Sequence, residues 1–220
     1  MPTRARSGSS TGRTRCTSTS SAGSSLASTD GVVAAIRSLQ RAYLIGVEGV
    51  TEIWLVRHAD VYDQGELVSD PPLSPLGHRQ AERLAQRLKS VGIRAVYASP
   101  LRRAQQTAAA LTERVATDPR LTEVRAAYPD GKVELQESHD AVIRRMQAAV
   151  SAAVAAHPGG RIVMVSHGIA ILTYLCDVLG LTPGTLRLFP DFTSISVVRV
   201  KGDRRMAGSL CDTAHLVPIA

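Results

Sequence analysis

The sequence predicts an α/β fold, a three-layer α/β/α sandwich with a mostly parallel central sheet. Two observations carry that prediction. Continuous apolar runs at 53–56 and 162–165 are bounded by polar residues, as in strands buried on both faces of a parallel sheet. From Thr51 onward such runs alternate with amphipathic stretches of helical length, the pattern of strands joined by crossover helices.

The elements follow in order. A strand at 52–57 is succeeded by a loop rich in Asp, Gly and Pro. Ser74-Pro75 opens a helix, with serine as N-cap and proline in the first turn, and Leu76, Leu84, Leu88 and Val91 form its inner face. A strand at 94–98 runs through Ser99-Pro100 into a second helix that sets Leu101, Ala104, Ala108, Leu111 and Val115 on one side. A short extended piece ends at Leu121. From about Glu137 a long helix presents Val142, Met146, Ala149, Ala153 and Val154, and Pro158-Gly159-Gly160 ends it. The strand 161–165 and a largely apolar helix 168–180 come next. Residues 192–200 and 205–210 read as two strands joined by a turn at Lys201-Gly202-Asp203, and there is no internal repeat.

Ahead of this domain, assigned to residues 51–220, residues 1–50 are expected to be a disordered or non-native extension. Half of residues 1–30 are Ser or Thr, a composition that cannot bury a core. The Ser/Arg-rich, acid-poor start also resembles an organellar transit peptide, and a further reading places the true start of translation near Val47 or Val50. Residues 31–46 have helical potential. The formal charge of +7 is concentrated here: Arg4, Arg6, Arg13, Arg15, Arg37 and Arg41 face only Asp30 and Glu48. With no basic stripe interleaved with aromatics, a nucleic-acid partner is not expected. No apolar run reaches the roughly 18–20 residues of a membrane span, so no membrane partner is expected either. Cys16, Cys176 and Cys211 form no C-x-x-C pair, which points to a reduced, cytoplasmic setting, with Cys176 a buried thiol. The six histidines include no H-E-x-x-H, so no metal site is expected.

Three strands end in residues that bind anions. Arg57-His58 closes the first, Ser99-Pro100-Leu101-Arg102-Arg103 follows the second, and Ser166-His167-Gly168 follows the strand at 161–165. Ligands of open α/β sheets bind at such carboxyl ends. Histidines, arginine forks and the N–H groups of a helix start together suit a dianionic phosphate.

The motifs have a recognisable order: Leu55-Val56-Arg57-His58-Ala59, then Leu73-Ser74-Pro75-Leu76-Gly77-His78, then Ser99-Pro100-Leu101-Arg102-Arg103-Ala104-Gln105-Gln106-Thr107-Ala108. Leu121-Thr122-Glu123, Val165-Ser166-His167-Gly168 and Cys211-Asp212-Thr213-Ala214-His215-Leu216 complete it. Over about 51–216 the chain resembles the histidine phosphatase (phosphoglycerate mutase-like) superfamily. That resemblance implies a phosphoglycerate mutase-like fold and a metal-independent phosphomonoester hydrolase working through a phosphohistidine. It makes His58 the nucleophile, and it has Arg57, Arg103, His167 and Gly168 hold the phosphoryl oxygens. Glu123 donates a proton to the leaving oxygen and then activates water. It implies no cofactor and, as partner, a phosphorylated small molecule, with a phosphoprotein as the alternative.

Departures from the family pattern qualify the activity. Ala59 replaces the usual glycine, and Val124 to Lys132 replace a longer segment, so the cap over the site is expected to be shortened. The pattern resumes at Glu137-Ser138, with Arg145 in its usual helix position. A short cap disfavours a phosphoglycerate mutase, which must exclude water while a phosphorylated intermediate turns over. A protein phosphohistidine phosphatase and a non-catalytic phosphate-binding regulatory module are the other readings. Elsewhere the plain readings lead. His78 is a surface residue, His139 and His157 flank a helix, and His215 anchors the tail. Arg79, Arg83 and Arg87 with Glu82 form an outer helix face. Arg102 faces solvent or substrate, and Asp60 and Asp63 serve either the substrate or a loop turn.

Overall fold

In the computed structural model the described residues are 29–62, 70–127 and 134–217. Strands β1 (Thr51–Arg57), β2 (Ile93–Ala98), β3 (Val115–Thr117), β6 (Arg161–Ser166), β7 (Ile195–Lys201) and β8 (Arg204–Asp212) form one sheet in the order β3-β2-β6-β1-β7-β8. The β3-β2-β6-β1 half is parallel, and β7 and β8 add on as an antiparallel hairpin. The predicted α/β/α sandwich is therefore the observed one. A separate two-stranded ladder pairs β4 (Ala126–Ala127) with β5 (Glu134–Leu135). It flanks residues 128–133, so most of the expected short cap lies outside the described residues. So do residues 1–28 and Asp63.

Alternation along β1 sends side chains to two different cores. Ile53 and Leu55 join Met146, Ala149, Val150, Ile171 and Tyr174 on the face covered by α4 (His139–Ala156) and α5 (Gly168–Leu179). Val56 joins Leu84, Leu88, Ala104 and Ala108 on the face covered by α2 (Pro75–Leu88) and α3 (Arg102–Ala109). Ser74 and Ser138 cap α2 and α4 by accepting from Gly77 N and Ala141 N, satisfying donors a helix start leaves orphaned.

Three local readings are corrected. Leu76 is exposed, and the inner face of α2 is Gly77, Gln80, Ala81, Leu84 and Leu88. The cause is a close approach: a Cβ on Gly77 would stand 2.0 Å from the Asp60 carbonyl oxygen, so the helix docks by its glycine. Val115 is not in a helix. It opens β3, because α3 stops at Ala109 and the chain turns back to pair with Val96. Arg87 is not simply an outer-face residue, since it is ion-paired with Asp212 of the C-terminal segment.

The chain divides into two compact units, Met1–Arg37 and Ser38–Ala220. In the first, the described residues belong to α1 (Thr29–Ala42), where Val32, Val33 and Ile36 are exposed. In the second, Leu44 is buried and Arg204 Nη2 donates to the Ala42 carbonyl. Among the described residues no helix is long and apolar enough to cross a membrane.

Candidate active site

The sheet order makes β2, β6 and β1 neighbours, so their carboxyl ends deliver Ser99, His167 and His58 side by side. The His58 and His167 rings lie 5.1 Å apart, centroid to centroid. His58 is almost fully buried. Its Nδ1 is 2.8 Å from the Ala59 carbonyl oxygen, and Arg103 Nε donates to its Nε2 at 3.3 Å. A carbonyl can only accept, so the hydrogen bonds assign the proton to Nδ1 and leave a lone pair on Nε2. Burial, helped by the charges of Arg103 and Arg57 and opposed by the Ala59 hydrogen bond, lowers the His58 pKa to about 3. The imidazole is thus neutral, with its unprotonated nitrogen facing Arg103.

His167 is fully buried and its pKa is also lowered well below the ordinary value, first by burial and then by His58 and the surrounding arginines. Its Nε2 sits 2.8 Å from Ser99 Oγ, which accepts from Leu101 N at 3.3 Å. Its Nδ1 is buried without a protein partner. In the tautomer where the Ser99 hydroxyl donates to Nε2, Nδ1 carries the proton and is an unspent donor inside the site.

The arginines are set by contacts of different kinds. Arg57 Nη1 donates to the Pro190 carbonyl at 2.8 Å, its Cζ lies 4.0 Å from the Phe192 ring centroid, and its Nε is buried without a partner. Arg103 Nη1 pairs with Asp70 Oδ1 at 3.2 Å, while Asp70 Oδ2 accepts from Arg102 N at 2.8 Å. One carboxylate therefore both orients Arg103 and caps α3. Burial lowers the pKa of Arg57 and of Arg103, against the raising effect of nearby carboxylates, Glu123 among them for each. Glu123 itself accepts from the backbone N–H groups of Val124 (2.8 Å), Ala170 (3.1 Å) and Ile169 (3.3 Å), at the N-terminus of α5.

All six sequence-predicted site residues thus belong to one cluster, Gly168 as the first residue of α5. Arg102 is exposed, while Arg145 is occupied by Glu137 and the Arg120 carbonyl. Asp60 ties its loop to α2: its side chain accepts from Ser74 Oγ and its N–H donates to Gln80 Oε1 at 2.8 Å. His215 Nε2 meets Thr193 Oγ1 at 3.1 Å, as a tail anchor should. His78 and His139 are exposed, and His157, at the end of α4, meets the Tyr97 hydroxyl at 3.1 Å.

Sequence reasoning missed Ser99, Asp70, Phe189 and Phe192 as members of the site. It also missed why the second arginine motif continues Gln-Gln-Thr. Gln105 donates to the Ser99 carbonyl at 2.6 Å, Gln106 accepts from Leu73 N at 2.8 Å, and Thr107 Oγ1 accepts from Ala59 N at 3.0 Å. Those side chains staple the three loops of the site together. Ser99 was readable, as the first residue past a strand that points into the cluster.

The family model of the histidine phosphatase superfamily (branch 1) matches in two pieces, residues 53–133 and 124–213. A Proteus mirabilis protein named probable phosphoglycerate mutase GpmB is 34% identical over 209 aligned positions, covering 77% of this chain and 96% of its own. That alignment is longer than the share of this chain it uses, so the relative carries roughly 40 more residues within the matched span. A Yersinia enterocolitica protein of the same name is 32% identical and covers 75% and 94%. Among solved structures, the Entamoeba histolytica phosphoserine phosphatase in complex with 3-phosphoglyceric acid has a TM-score of 0.65 at 21% identity. It covers 76% of this chain and all of its own. The mycobacterial glucosyl-3-phosphoglycerate phosphatase gives 0.62 at 21% identity, covering 74% and 100%. On the length of the family match and the identity to these relatives, the chain belongs to the histidine phosphatase superfamily.

Proposed function

We propose that residues 51–220 form a phosphomonoesterase that hydrolyses phosphorylated small molecules through a phosphohistidine on His58, without a metal ion. The tautomer of His58 carries this reading: Nδ1–H is held by the Ala59 carbonyl, so Nε2 presents its lone pair beside Arg103. In the first half-reaction Nε2 attacks phosphorus while the bond to the leaving oxygen breaks, and that oxygen takes a proton from the Glu123 carboxyl. In the second, a water gives a proton to Glu123 and attacks phosphorus. The P–N bond breaks and its electron pair returns to Nε2. Arg57 and Arg103 match the equatorial oxygens and supply the charge stabilisation the transition state needs. The unspent Nδ1–H of His167 supplies a further donor, and the start of α5 at Gly168 adds a favourable dipole.

Hydrolysis is favoured over phosphoryl shuttling by the roughly 40 residues that the mutase-named relative carries and this chain lacks. The two pieces of the family match overlap at 124–133, the stretch where the sequence departs from the family pattern. A shortened cap leaves the phosphoenzyme open to water.

The test is hydrolysis of para-nitrophenyl phosphate by wild type and His58→Ala, with and without EDTA. The expected outcome is a loss of at least about 10³-fold in His58→Ala and no effect of chelation. Equal rates in the two proteins remove His58 as nucleophile, and loss on chelation overturns the metal-free mechanism. Acid-quenched wild type is then expected to have lost a label that alkali-quenched enzyme retains.

A further inference from the structure

The chain contains only two phenylalanines, and both stand at this site. They lie on the segment entering β7, which is tied to the nucleophile strand at several points. Arg57 Nη1 donates to the Pro190 carbonyl, and Thr193 N donates to the Arg57 carbonyl at 3.0 Å and the His58 carbonyl at 3.4 Å. Thr193 takes the left-handed backbone conformation at φ +55°, and its hydroxyl is met by His215. A threonine held there is strained, which marks a turn fixed by its surroundings.

This fixed turn gives the two rings different work. Phe192 is half-buried, with its ring centroid 5.6 Å from that of His58 and 4.0 Å from Arg57 Cζ, so it is a shelf for the site itself. Phe189 is 53% exposed. Its ring centroid lies 5.1 Å from Arg57 Cζ, and its edge fills the space a side chain on Gly168 would occupy, 2.5 Å from an ideal Cβ. The glycine that opens α5 therefore makes room for this ring. A large aromatic side chain is held half in water at the border of the cluster that would bind the phosphoryl group.

We infer that the alcohol portion of the substrate packs on Phe189, which makes this residue a specificity determinant for phosphomonoesters whose leaving group carries an aromatic or extended apolar portion. The inference rests on the phosphomonoesterase reading given above. A ring face is electron-rich, so it welcomes another ring or an alkyl chain and disfavours a carboxylate. Compact acidic alcohols, such as phosphorylated hydroxy acids, are accordingly the poorer class. Among the described residues, this ring is an exposed apolar surface at the border of the cluster, open to whatever lies beyond the phosphoryl group.

Propyl phosphate and 3-phenylpropyl phosphate test this, because their leaving alkoxides have nearly the same basicity and differ in apolar surface. Wild type is expected to prefer the phenylpropyl ester by at least about tenfold in kcat/KM, on the scale of burying a ring. In Phe189→Ala the ratio should fall to within about twofold of unity, and Phe189→Tyr, which keeps the ring, should retain most of it. A wild-type ratio near unity with propyl phosphate turned over would overturn the inference and leave the phosphatase reading standing. So would a preference that survives Phe189→Ala. If neither ester is hydrolysed, it is the phosphatase reading that fails. Calorimetric titration with propylphosphonate and 3-phenylpropylphosphonate then still decides the inference, which equal affinities would overturn.

Discussion

Drawing His58 out of water beside two guanidinium groups lowers its pKa to about 3, and burial is the largest cause. His167 and His215 are shifted in the same direction, again first by burial. Between the ordinary value near 6.5 and the folded value, the unfolded chain takes up protons that the folded chain refuses. Stability is therefore complete above about pH 6.5 and falls as the pH drops toward 3. Urea midpoints measured from pH 8 to pH 4 should decline, less steeply in His58→Ala, and an identical slope in the two proteins would contradict the burial account. At this scale the sequence was legible wherever a residue ends a strand: Arg57, His58 and His167 stand in the cluster where the motifs put them. It was silent on residues brought in from loops. Asp70 meets Arg103 from 33 positions away, and Phe189 meets Gly168 from a different loop, so no local periodicity encodes either contact.

Elements were legible in proportion to how much of their burial is local. β1 and β6 are apolar runs, and α4 carries its inner face at helical spacing, so their extents agree with the pattern to within two or three residues. Val115, assigned to the end of α3, went instead to β3, because pairing with β2 outweighs a weak helical continuation. The rotation of α2 was set by a contact, not by its hydrophobic spacing: Gly77 lies against the Asp60 carbonyl. Gly77→Ala should accordingly cost about 1–3 kcal/mol, as overpacking does, although alanine is the better helix former. A urea denaturation midpoint no lower than that of wild type would show that the loop gives way instead.

For the whole molecule, the boundary between extension and domain is a matter of burial. Residues 38–50 contribute Leu44, which is 2% exposed, and the Glu48 carbonyl, which accepts from Lys201 Nζ at 2.7 Å. A chain beginning at Ser38 should keep the melting temperature of the full chain. One beginning at Thr51 should lose about 2–3 kcal/mol, the worth of burying a leucine. Thermal denaturation of the two truncations checks this, and equal melting temperatures would return residues 38–50 to the extension. The sequence by itself determined the α/β class, the order of elements and the residues that end each buried strand. Those depend on local periodicity and on the rule that parallel strands present their carboxyl ends together. Tertiary structure alone decided which nitrogen of His58 is free, how Asp70 aims Arg103, and that Phe189 rests on Gly168. The last two depend on contacts between segments far apart in the chain, set only when the sheet closes, and the first on the ring orientation that turns Nδ1 onto the neighbouring Ala59 carbonyl.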